Sequence, residues 1–180
     1  EALLEADRCG GLKPVAVKSV EQQTLLALHR VRSQWQAARV AQINMVRGLL
    51  REQGLPIPLG ASTVLKRVAG ILGDAETTLP ELLRSTIRLL VEEIRALEER
   101  IALIDQQLAH VARANAVAVR LQQIPGVGVL TATAMIGAVP HIQAFRRGRE
   151  FASWLGLTPR EHSTGGRRLL GGISKRGDGY

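Results

Sequence analysis

Between Ile87 and Val111 the residues Ile87, Leu90, Ile94, Leu97, Ile101, Ile104, Leu108 and Val111 alternate at three- and four-residue spacing for nearly four heptads. Only a helix places such a row on one face, and a row of that length has to be covered by another helix. The spacing therefore predicts a coiled-coil helix over residues 79–119, opened by Thr78 and Pro80. Arg, Glu and Gln fill its flanks, with Glu92, Glu93, Arg95, Glu98, Glu99 and Arg100 spaced for local and interhelical ion pairs. Two covers are open. A second copy would turn the seam into a protomer interface, which its length favours. Alternatively, a stripe of Leu28, Val31, Trp35, Ala38, Met45 and Leu49, interrupted by Gln42, covers it as an intramolecular hairpin.

That stripe lies on a second predicted helix, residues 19–53. Ser19 with Gln22 forms a capping box at its start and Gly54 stops it. Its other faces carry His29, Arg30, Arg32, Arg39, Arg47 and Arg51, either a solvated face or a surface for a polyanion. Residues 54–78 read as a linker, broken by Pro56 and Pro58, with a short helix near 62–72. Residues 1–18 read as a short helix and a strand-like Lys13-Pro14-Val15-Ala16-Val17, and without an initiator Met the chain looks cut from a longer one. The expected fold class is mainly α, long coiled-coil helices followed over residues 120–180 by a small helical domain with a helix-hairpin-helix and a basic Gly-rich loop. Aromatic residues make up only 3%, which disfavours a β-rich alternative.

Charge narrows the function. Lys and Arg number 24 against 16 Asp and Glu, and residues 141–180 hold eight cations against three anions, so +5 of the net +8 lies in the last 40 positions. Surplus cations gain free energy by releasing counterions from phosphates, which makes nucleic acid a natural partner. Cys9 is the lone cysteine and the histidines at 29, 110, 141 and 162 are scattered, so neither a disulfide framework nor a zinc motif can be built. A single cysteine fits a reducing cytoplasm, and no apolar run approaches the roughly 18 residues of a membrane span.

Two stretches can carry chemistry. In Leu121-Gln122-Gln123-Ile124-Pro125-Gly126-Val127-Gly128-Val129 one helix ends near Ile124 and another starts near Val129. Gly126, Val127 and Gly128 form a turn whose glycines allow positive φ and whose amides would face a phosphate; a plain tight turn is the alternative. Phe151, Trp154 and Leu155 should be buried on a short helix that follows the basic turn of Arg146 and Arg147. The loop Thr158–Arg168 holds Ser163 beside His162, with Arg160, Arg167 and Arg168 near and Gly165-Gly166 permitting close backbone approach. A serine among guanidiniums suits attack on a phosphodiester, and the same residues would equally make a phosphate loop with no nucleophile. Ser174-Lys175-Arg176 is a second anion-binding candidate. Carboxylates are too few in this half for a self-sufficient two-metal nuclease.

In order, Ile124-Pro125-Gly126-Val127-Gly128, Phe151 to Glu161, Ser163-Thr164-Gly165-Gly166 and Ile173-Ser174-Lys175-Arg176-Gly177-Asp178 resemble the carboxy-terminal domain of the DEDD-type insertion-sequence transposases, the bridge-RNA-guided serine recombinases. Val17-Lys18-Ser19, Gln22-Gln23, His29 to Arg32, Arg39 and Arg47 to Leu50 resemble the segment that follows this family's RNase H-like domain. The resemblance implies a composite site. Acidic residues of the RNase H-like domain hold Mg2+, and a serine of the C-terminal domain attacks DNA and becomes linked to it. Ser163 is the expected nucleophile, Ser174 and Ser153 the reserves, and Thr164 leaves a neighbouring hydroxyl where a second Ser would also fit. Residues 1–18 would then be the tail of the RNase H-like domain, residues 120–180 the transposase domain, and this chain alone should not cut DNA. The resemblance also implies a coiled coil that joins protomers as a homodimer or higher oligomer, guide RNA on the face of Arg30, Arg32, Arg39 and Arg47, and DNA or RNA backbone on the Gly126 turn and the C-terminal arginines. No cofactor is expected within this chain. A non-catalytic nucleic-acid module and a coiled-coil scaffold are the competing readings.

Overall fold

A computed structural model describes residues 4–5, 8–9, 16–58, 60–74, 77, 79–139 and 141–174. The described chain is mainly helical, with α1 (Val20–Glu52), α2 (Ala61–Gly73), α3 (Glu81–Ala114), α4 (Ala116–Leu121), α5 (Val129–Ala138), a 3-10 turn (Ile142–Ala144) and α6 (Gly148–Trp154), then two strands, β1 (Pro159–Glu161) and β2 (Leu170–Ile173). These form two compact units, Leu28–Ala114 and a second of Glu1–Ala27 with Asn115–Tyr180. The strand-like segment before Ala16, and with it most of residues 1–18, lies outside the described residues, as do Lys175 and Arg176.

The unit of residues 28–114 is built on an antiparallel helix pair whose register two ion pairs define. Arg32 meets Asp105 and Arg39 meets Glu98, so seven residues forward on α1 match seven back on α3. The same register puts Ile43, Val46 and Leu50 opposite Ile94, Val91 and Ile87, and all six belong to one core with Ile57, Val64, Val68 and Leu79. Each such aliphatic side chain contributes roughly 1.5–3 kcal/mol on burial. Gly54 ends α1 at positive φ, with the Leu55 amide donating to the Leu50 carbonyl at 2.9 Å. Arg84 is buried at the end of α2, its guanidinium donating to the carbonyls of Ile71, Leu72, Asp74 and Thr77, where a helix C-terminus leaves acceptors without partners.

Three expectations change here. The seam of α3 is covered inside the chain by α1, so its length is no argument for a second copy; Ile94 and Leu108 are fully buried and Ile101 nearly so. The covering row is not the stripe of Leu28, Val31, Trp35, Ala38, Met45 and Leu49. Val31 and Met45 are exposed and the other four half-buried, while the row facing α3 is His29, Arg32, Gln36, Arg39, Ile43, Val46 and Leu50. On α3 the buried positions shift accordingly to Val91 and Ala112 in place of Leu90 and Val111. Finally, the long helix stops at Ala114. Asn115 adopts an extended backbone and its side-chain oxygen accepts from the amides of Val117 and Ala118, the N-cap of a separate helix, α4.

In the other unit the Ser19–Gln22 capping box is formed: the Ser19 amide donates to Gln22 Oε1 at 2.9 Å and the Gln22 amide to Ser19 Oγ at 3.2 Å. The same Gln22 side chain donates through Nε2 to the carbonyls of Ile136 and Val139, the open end of α5. Gly137 lets α5 approach that closely, because a Cβ there would stand 3.2 Å from side-chain atoms of Leu25 and Leu26.

Candidate functional site

The segment from Leu121 to Ser174 brings the candidate residues onto two structures. The first is the turn between α4 and α5. Helix α4 ends at Leu121, earlier than the sequence suggests, and tight turns through Gln123 and Ile124 continue to Gly126, whose φ is +88°. Gly128 is the N-cap of α5 in extended backbone, not in the left-handed region. Gly126 and Gly128 are exposed, Val127 is half-buried, and nothing stands within 4 Å of where a Cβ of either glycine would be. The turn therefore offers open backbone at the start of a ten-residue helix.

The second structure is a β-hairpin that carries the candidate nucleophile. β1 and β2 pair antiparallel, with a register shift between Pro159 and Glu161. Beyond them the His162 amide bonds to the Leu169 carbonyl, and Thr164 and Arg167 exchange backbone bonds around Gly165-Gly166, both at positive φ as two-residue hairpin turns require. In that register Ser163 stands across from Arg168. Glu161, two residues back in extended chain, shares the face of Ser163.

The three side chains meet. Ser163 Oγ donates to Glu161 Oε1 at 2.6 Å, and Arg168 Nε lies 3.2 Å from the same carboxylate oxygen. The hydroxyl first, the Arg168 charge next, and more distantly Arg149 hold the Glu161 carboxyl below the usual carboxylate range, so it is ionised at neutral pH. Glu161 and Arg168 also line a crevice of about 510 Å3 with Arg147, Arg149, Glu150, Ser153, Thr158, Pro159 and Leu170. Three arginines, Arg147, Arg149 and Arg168, thus line one crevice together with the carboxylates of Glu150 and Glu161. The reading from sequence missed both Glu161 and Arg149; the signal for Glu161 was its two-residue spacing from Ser163 in a strand-forming stretch.

The other serines differ. Ser174 is half-buried, its hydroxyl donating to the Gly156 carbonyl at 3.1 Å, while its carbonyl accepts from Arg160. Ser153 is exposed on α6 within the crevice. Arg146 and Arg167 are exposed. Phe151, Trp154 and Leu155, expected to be buried, are half-buried. Phe145 packs edge-on to Phe151 at 5.2 Å and Trp154 at 5.8 Å, a small aromatic cluster that ties α6 to the segment before it.

In the unit of residues 28–114 the basic residues divide. Arg32 and Arg39 are half-buried and committed to Asp105 and Glu98 across the helix pair, whereas Arg30 and Arg51 are exposed and Arg47 lines a shallow crevice with Asn44, Gly48, Arg51, Pro56 and Ile57. His29 is buried one turn before Arg32. Among the described residues, no three His, Cys, Asp or Glu side chains come together as a metal site, and no helix is long and apolar enough to cross a membrane.

Residues 118–180 match the model of the Transposase IS116/IS110/IS902 family. The whole chain is similar to the "Probable family 20 transposase" of Pseudomonas aeruginosa, 41% identical over all of this chain and 54% of that protein. It is 37% identical to the transposase for insertion sequence element IS1111A of Coxiella burnetii, over 99% of this chain and 49% of that protein. The transposase for insertion sequence element IS1328 of Yersinia enterocolitica is 35% identical, over 99% of this chain and 52% of that protein. The chain spans about half the length of these curated relatives. No solved structure matches it.

Proposed function

We propose, with the insertion-sequence transposase match over residues 118–180 as premise, that this chain supplies the serine side of a DNA transposase, with Ser163 as the nucleophile. One observation carries the choice of serine. Ser163 is exposed on the hairpin with its hydroxyl on the Glu161 carboxylate, whereas the Ser174 hydroxyl is committed to a backbone carbonyl and Ser153 lies in the crevice on α6, away from the hairpin turn. Arg147, Arg149 and Arg168 would stabilise charge on the transferring phosphate, and Arg146, Arg160, Arg167 and the Gly126-Val127-Gly128 turn would hold neighbouring backbone phosphates. Lys175 and Arg176, outside the described residues, are proposed as further phosphate contacts on their charge alone.

A guide RNA, as the bridge-RNA resemblance implies, would lie along Arg30, Arg47 and Arg51. Base choice would then come from pairing, with the protein reading backbone. Protomers would associate through the outer face of α3, where Leu82, Leu89 and Leu103 stand exposed at multiples of seven residues. Mg2+ would be held by acidic residues of an RNase H-like domain outside this chain.

The test is a covalent adduct. A transposase of the relatives' length carrying this chain, incubated with DNA bearing its element's ends, should yield a DNA-linked species on a denaturing gel. Ser163→Ala should abolish it. An adduct that survives Ser163→Ala would overturn the assignment.

A further inference from the structure

We propose that Glu161 is the group that receives the Ser163 proton during attack on DNA, with Arg168 holding its carboxylate in place. The inference rests on the reading of Ser163 as nucleophile and adds a catalytic residue to it. Its basis is geometric. Extended backbone puts Glu161 and Ser163 on one face, and the hairpin register puts Arg168 across from Ser163, just past the register shift between Pro159 and Glu161. A single carboxylate oxygen, Glu161 Oε1, receives the Ser163 hydroxyl at 2.6 Å and stands 3.2 Å from Arg168 Nε. All three side chains are exposed, so the arrangement contributes little to the fold. A serine hydroxyl is a weak nucleophile until a neighbouring group takes its proton, and such a partner must already lie within hydrogen-bond reach.

The step balances without an added reagent. Ser163 Oγ forms a bond to phosphorus while the bond from phosphorus to the departing sugar oxygen breaks, its electron pair staying on that oxygen. The Ser163 proton passes to Glu161 Oε1. Water relays one proton from Glu161 to the departing oxygen, which leaves as a hydroxyl, and Glu161 returns to its ionised form. Arg147 and Arg149 line the crevice that Glu161 also lines, and a phosphate drawn in beside that carboxylate would meet their charge.

The experiment measures single-turnover adduct formation by the full-length-sized transposase on DNA bearing the element's ends, from about pH 6.5 to 8.5, in wild type, Ser163→Ala, Glu161→Gln and Glu161→Asp. Glu161→Gln keeps an acceptor oxygen for the hydroxyl but loses the ability to take a proton, together with the charge that pairs with Arg168. Its rate should fall by about 100-fold near neutral pH. Without a base the serine depends on hydroxide, so the deficit against wild type should shrink by about tenfold per pH unit as pH rises. Glu161→Asp should recover part of the rate. Adduct absent from wild type, or persisting in Ser163→Ala, overturns the reading of Ser163 and this inference with it. Adduct lost in Ser163→Ala but formed by Glu161→Gln within about twofold of wild type overturns the inference alone. So does a slow Glu161→Gln whose pH profile runs parallel to wild type, the mark of a purely structural hydrogen bond.

Discussion

The chain uses the pairing of arginine with a carboxylate twice, to different ends. Between α1 and α3, Arg39–Glu98 and Arg32–Asp105 sit where a coiled coil keeps its contact row, with arginine side chains only 19% and 20% exposed. On the β-hairpin, Arg168–Glu161 stands in solvent with Arg168 64% exposed, and a serine hydroxyl shares the carboxylate. The helix-pair contacts fix register: slide α1 by one turn and both arginines, themselves largely covered, lose their partners at the edge of the interface. Solvent screens the exposed pair, which does little for stability and can take part in chemistry. Surroundings, more than residue type, decide which role a pair takes.

Breaking the enclosed side should cost most where no solvent reaches. Ile94→Asp, at a fully buried core position, should lower the unfolding free energy by more than about 4 kcal/mol in urea titrations. Leu103→Asp, on the exposed face of the same helix, should change it by no more than about 0.5 kcal/mol, and if α3 joins protomers there it should instead halve the assembly's mass in light scattering. Equal losses of stability from the two would reject the assigned seam.

Next in size is Arg39→Met, which strands Glu98. The loss should be about 2 kcal/mol, below that of a fully enclosed pair because Glu98 is 36% exposed, and adding Glu98→Leu should restore most of it. Arg168→Met should leave the urea midpoint unchanged. A midpoint shift as large as that of Arg39→Met would erase the contrast between the two sites.

Smaller is the effect of pH through His29. Burial first, and then the Arg32 charge, hold its imidazole below the ordinary 6.5, with Asp105 pulling the other way. The folded state thus favours the neutral ring. Its contribution to stability is whole above about pH 6.5 and is lost as pH falls from there toward the depressed value. His29→Leu should flatten the urea midpoint between about pH 7.5 and 5.5, and a slope unchanged by the substitution would place the titration elsewhere.

These contrasts mark what could be read from the residues. The α3 seam was legible because Ile87, Ile94, Ile101 and Leu108 keep an apolar period. Its partner row on α1 was not, because His29, Arg32, Gln36 and Arg39 occupy contact positions, and counting apolar residues selects the neighbouring stripe through Val31 and Met45 instead. Those arginines looked like a free basic face; pairing with Asp105 and Glu98 depends on a register that only the folded helices define. Asn115 was an available N-cap signal overridden by the helical period around it. At the site, Gly165-Gly166 and the arginines pointed to the Ser163 loop, since glycine turns and guanidiniums are local features. Glu161 became visible only when the strand alternation placed it beside the hydroxyl.

In the proposed reaction one serine oxygen becomes joined to DNA. Peptide mass spectrometry of the DNA-linked transposase, after nuclease trimming of the adduct, reads that directly. A nucleotide remnant on Ser163, absent from the Ser163→Ala protein, is the expected result. A remnant on Ser153 or Ser174, or none on any serine of the chain, would contradict it.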